Sequence, residues 1–157
     1  MSWHARCWTQ RGIATLELVL TLPVLLLFLV GMLYFGRYFS YYTTAHKAAH
    51  NAARYLASVS RREIKTQLAG GAQVPAVLLA QAIAQQSTAG LHPGPAALAV
   101  IVDCSPTSCT GLAVPDKVRV VVQMQVTDQL FAPFSWTFLG DEGLLLQADV
   151  TMLYVGQ

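Results

Sequence analysis

One carboxylate in this chain stands where a charge is costly. Glu17 lies within RGIATLELVLTLPVLLLFLVGMLYFGR, residues 11–37, which is otherwise almost wholly apolar from Ile13 to Phe35. An ionised acid at the centre of a bilayer costs about 2.5–3.5 kcal/mol on insertion scales, so such a residue marks a functional position by default. One turn inside the segment the cost is lower, and two readings stand. In the first, Glu17 is a tolerated interfacial acid near a helix N-terminus, where the macrodipole favours negative charge. In the second it awaits a cation. A cut between Gly12 and Ile13 would free an α-amine beside Glu17 of the same or a neighbouring helix, and the pair would neutralise the buried charge on assembly.

The other residue types that carry chemistry are sparse. Cys104 and Cys109 bracket four turn-forming residues in DCSPTSCTGLAVPD. A disulfide closing that loop contributes on the order of 2 kcal/mol, and it requires an oxidising compartment. The rivals are a reduced pair or half a metal site, the latter lacking a second CxxC. His46 and His50 share a helix face at the spacing of two zinc ligands, but HKAAH lacks the glutamate of a zinc hydrolase motif and Arg54 extends the same face. A solvated polar face is the better reading, and nothing in the sequence calls for a metal or a cofactor. Asp141-Glu142 reads as a solvated turn rather than an acid/base couple, and no P-loop, G-x-S-x-G or dinucleotide fingerprint is present. An enzyme is not expected. Phe131, Phe134, Trp136 and Phe138 crowd into eight residues. They either fold back to cap a sheet or form an exposed patch for a partner.

The elements that position these residues follow from periodicity. Twenty-three residues from Ile13 to Phe35 span about 35 Å as a helix, enough to cross a bilayer core of roughly 30 Å. A cleavable secretory signal fits poorly, because its apolar core is shorter and no A-x-A site follows Phe35. Arg37, Tyr38, Tyr41 and Tyr42 come next, in the manner of an interfacial belt. Ala45, Ala48, Ala49, Ala52, Ala53 and Ala57 carry a helical stripe onward. The first stop is Gly70-Gly71, and the stripe from Ala48 to Ala57 is expected to lie on the protein's own sheet. A second helix is expected from Pro75 to Gln86. Strands are expected at 97–103, 117–127 and 144–155. In the second, Val118, Val120, Val122, Met124 and Val126 share one face.

The fold class is therefore α+β: a long N-terminal transmembrane and amphipathic helix followed by a small antiparallel sheet of about three strands packed on the helix. The divisions are 1–12 leader, 13–36 transmembrane helix, 37–69 helix extension and 70–157 an extracytoplasmic α+β domain. Over 157 residues, 54% are hydrophobic and only 11% charged, which favours membrane association. From Ile13 onward eight Lys/Arg balance eight Asp/Glu, leaving no basic field for nucleic acid. The positive-inside count does not fix the orientation, but long following domains translocate largely regardless of charge, and the cysteine pair places the C-terminal domain outside.

The ordered set Arg11-Gly12, Glu17, Leu22-Pro23, Gly31 through Phe35-Gly36-Arg37 and Ala52-Ala53-Arg54-Tyr55 resembles a known family over about residues 11–57. A short basic leader ending in glycine, a glutamate five residues later and a long apolar helix form the class III signal of type IV pilin-like proteins. More narrowly, the stretch is similar to the TadE-like minor pseudopilins of the tight-adherence (Flp/Tad) pilus system. Leu18 stands where that family usually has an aromatic, and Ile13 is the first mature residue. The resemblance implies a prepilin peptidase cutting Gly12–Ile13, and Glu17 pairing with the new N-terminal amine. It also implies partners among other pilins and pseudopilins, the pilus assembly platform and the bacterial inner membrane, crossed once with the C-terminal domain periplasmic. The chain is too long for the major Flp pilin, and its size suits the E or F type. The competing reading is an uncleaved single-pass anchor whose outer domain binds a partner unrelated to pili.

Overall fold

The computed structural model describes residues 11–66, 74–91, 98–106, 108–126 and 144–157. The chain divides into two compact units, Met1–Arg37 and Tyr38–Gln157. Helix α1 (Arg11–Ser58, 48 residues) contributes to both.

In the first unit, α1 exposes its large apolar side chains on every side, among them Leu16, Val19, Leu25, Phe28 and Met32. Only 6% of its most apolar window is buried inside the protein, so it is no core helix of a soluble fold. A helix apolar all round needs an apolar solvent. By length and composition α1 can cross a membrane once. Pro23 sits inside it and removes one backbone donor. The Thr21 hydroxyl meanwhile donates to the Leu18 carbonyl at 3.3 Å.

In the second unit the alanine stripe does pack on the sheet. Ala45, Ala48, Ala49, Ala52, Ala53 and Leu56 are fully buried in one cluster with Val118, Val120 and Val122. Small side chains let the helix backbone approach the sheet closely, so the core is thin and dense. The sheet has the order β1 (Ala99–Ser105), β2 (Lys117–Val126), β3 (Leu144–Leu153), antiparallel throughout. Val120 pairs with Val102 on one side and Val150 on the other, so the expected apolar faces coincide across all three strands. The first strand lies two residues later than expected.

One expectation fails. The chain does not stay helical to about residue 69: α1 ends at Ser58, and a short helix α2 (Arg61–Ile64) starts afresh. The Ser60 hydroxyl accepts from the Glu63 backbone N–H at 3.3 Å and caps it. Turning there buries Val59 and Ile64 in the core, a gain that straight continuation would forgo. Gly70 and Gly71 fall outside the described residues. Helix α3 (Pro75–Thr88) opens on proline and runs two residues past the expected end. The Thr88 hydroxyl there is satisfied by the Ala84 and Gln85 carbonyls, each at 3.0 Å.

The chain end is tied to the turn after α1. The Val155 N–H donates to the Ala57 carbonyl at 2.9 Å, and the Tyr154 hydroxyl donates to the Val59 carbonyl at 2.7 Å. Gly156 is packed so tightly that an added Cβ would lie 1.9 Å from the Val59 carbonyl oxygen.

Candidate functional site

Glu17 is held by the backbone of α1 one turn past Gly12 and faces outward. Its neighbours Leu16, Leu18 and Leu20 are each at least 60% exposed. The carboxylate therefore sits on an apolar surface made to meet lipid or another apolar helix. No ion pair to it forms among the described residues. Gly12 and Ile13 lie in the first turn of α1, so the backbone around the expected processing bond is helical.

Cys104 and Cys109 are joined by a disulfide with Cα atoms 5.1 Å apart. Cys104 is the next-to-last residue of β1, opposite Val118, and both cysteines pack half-buried against the core. The bridge closes the tip of the sheet, where Gly111 takes the positive φ of 78° that the returning turn needs. Among the described residues no three His, Cys, Asp or Glu side chains gather into a metal-binding group. His46 and His50 lie exposed on α1, the former with its ring 6.0 Å from that of Tyr42. Phe131, Phe134, Trp136 and Phe138, like Cys7, Asp141 and Glu142, lie outside the described residues.

A polar patch that sequence reading did not single out occupies the outer face of the sheet. Asp103, Ser105, Lys117, Arg119 and Thr151 line a shallow hollow there. The Arg119 Nε donates to both oxygens of Asp149 at 3.0 Å, and its Nη2 makes a further close bond. That hydrogen bonding holds the Asp149 carboxyl below its ordinary range against the small cost of its desolvation, and it pushes the Arg119 guanidinium up. The carboxylate is thus committed to a strand-to-strand tie rather than to proton transfer. Both partners are exposed, so the tie is worth little to stability. The signal for it was the opposite charge on adjacent strands of one face. At the chain end, burial pushes the Tyr154 phenol up, with nearby Arg61 opposing, which fits a hydroxyl kept as a donor.

The comparisons fall on the helix that carries Glu17. Residues 12–54 match the model of the TadE-like protein family, so the lipid-type half of α1 and most of its buried stripe carry that family's sequence. The match begins at Gly12 and stops before the sheet. No curated protein and no solved structure matches the chain.

Proposed function

We propose that this TadE-like chain is a minor pseudopilin: a single-pass membrane protein, cut by a prepilin peptidase between Gly12 and Ile13, that supports assembly of a Flp/Tad adhesion pilus. The observation that carries the reading is Glu17, exposed on an otherwise apolar helix inside the TadE-like segment. An acid there is a standing cost in lipid, and a cation brought by a neighbouring helix removes it. Cleavage makes such a cation: the α-amine of Ile13 lies about one helical turn from residue 17. In this account the pairing couples removal of the buried charge to subunit addition, and the chain takes part as a substrate and a building block rather than as a catalyst.

The rest of the chain fits that role. The inner membrane holds residues 13–36, the α+β unit lies in the periplasm, and the disulfide is formed there. The partners are the prepilin peptidase, other pilins and pseudopilins, and the assembly platform. Phe131, Phe134, Trp136 and Phe138 remain a proposed contact surface for one of them.

The test is Glu17→Gln. The amide keeps the shape and loses the charge, so membrane insertion should persist while incorporation into pilus complexes, read by co-purification, drops by at least about tenfold, the loss of a pair worth roughly 1.4 kcal/mol. Unchanged incorporation contradicts the pairing.

A further inference from the structure

The face of α1 turned away from the sheet carries charge of one sign. Ala45, Ala48, Ala49, Ala52, Ala53 and Leu56 fill the core, and the opposite side exposes Lys47, His50, Asn51 and Arg54. At the helical repeat, Lys47, His50 and Arg54 form one row two turns long, about 10 Å from first to last.

A helix face kept for solvent gains from acids placed three or four residues from each cation. Around Lys47 and Arg54 those positions hold Thr43, Thr44, His50, Asn51, Ala57 and Ser58, with no acid among them. From Tyr38 to Arg62 the chain has Lys47, Arg54, Arg61 and Arg62 and no Asp or Glu. The hydroxyls beside the row are already satisfied. Thr43 and Thr44 donate to the Ser40 carbonyl at 3.0 and 2.9 Å, and Ser58 donates to the Tyr55 carbonyl at 3.0 Å. The His46 ring sits beside Tyr42. Lys47, His50, Asn51 and Arg54 have no side-chain partner among the described residues.

We infer that this row docks an acidic helix of a different protein chain, one with carboxylates at the same i, i+3, i+7 spacing. Lys47 and Arg54 each then face an acid, and His50 and Asn51 bond beside them. A second copy presenting the same face is excluded, because it would set cation against cation. A lipid surface fits less well. The exposed aromatics, Phe39 and Tyr42, come first and the cations follow, whereas a helix lying on anionic headgroups mixes the two along its length. Because the row runs along the helix axis, the partner helix lies alongside α1, and both chains can leave one membrane together. The inference does not depend on cleavage after Gly12.

The test uses the full chain in phosphatidylcholine nanodiscs and, as probe, an alanine-rich helical peptide with glutamates at i, i+3 and i+7. A carbodiimide joins touching ammonium and carboxylate groups with loss of water, and the chain offers Lys47, Lys65 and Lys117 as lysines to read by mass spectrometry. All three are exposed. Coupling at Lys47 should exceed that at the other two at least about tenfold, since docking raises the local carboxylate concentration. Arg54→Gln, at an exposed position, should lower coupling at Lys47 at least about threefold and leave Lys65 and Lys117 unchanged. Equal coupling at the three lysines overturns the inference, as does an Arg54→Gln chain that couples like the parent. So does a probe with glutamates on opposite helix faces that couples to Lys47 equally well. In phosphatidylglycerol nanodiscs the preference for Lys47 should persist; its loss there assigns the row to lipid headgroups and overturns the inference too.

Discussion

Gly156 shows how a residue without a side chain constrains the rest. A methyl group there would meet the Val59 carbonyl oxygen at 1.9 Å, and neither backbone can yield without undoing the hydrogen bonds of Tyr154 and Val155 to the turn after α1. Gly156→Ala should therefore release the chain end. Losing those bonds costs about 2 kcal/mol, at a net 0.5–1.5 kcal/mol each, whereas Tyr154→Phe removes one bond and costs about 1 kcal/mol. Thermal unfolding followed by circular dichroism in detergent ranks the two, with Gly156→Ala the more destabilised. A Gly156→Ala melt equal to that of the parent would show that the chain end contributes nothing. Glu17 teaches the opposite lesson at the same scale. Its position stands out because an acid in an apolar run is conspicuous in any one sequence, while the cation proposed for it would be made by processing and has no letter of its own.

At the scale of elements, the strands were legible because a period of two in KVRVVVQMQV admits one buried face, and that face is the one filled by Val118, Val120 and Val122. The Cys104–Cys109 bridge was legible from its turn-forming interior. The end of α1 was not. Nothing between Ala57 and Leu68 is a glycine or a proline, so reading for breakers alone carries the helix onward. The S-x-x-E spacing of Ser60 and Glu63 was the available signal, a cap that starts a new helix. Contacts such as Gln81 to Val100, or Tyr154 to Val59, join residues far apart in the chain, and no local pattern encodes them. The packing of α1 on the sheet has its own test. Leu56 is the largest fully buried side chain on the helix stripe. Leu56→Ala should cost about 2–5 kcal/mol, read as a lowered unfolding midpoint in denaturant. A cost below about 1 kcal/mol would mean that the site collapses around the loss, and that the alanine stripe alone seats the helix.

For the molecule as a whole, the two units divide the physics between them. From Leu16 to Phe35 the chain presents apolar surface that only lipid or other helices can satisfy, and the unit from Tyr38 onward closes its own core with a disulfide at one end of the sheet. The TadE-like match, residues 12–54, covers most of the first division and most of the helix stripe and stops before the sheet. Function then rests on whether the N-terminal dozen residues are removed. The mass of the mature chain recovered from its native membrane measures this directly. The account predicts a protein beginning at Ile13, lighter than the full sequence by residues 1–12. A mature chain that still begins at Met1 would leave Glu17 without its amine and contradict the pilus assignment.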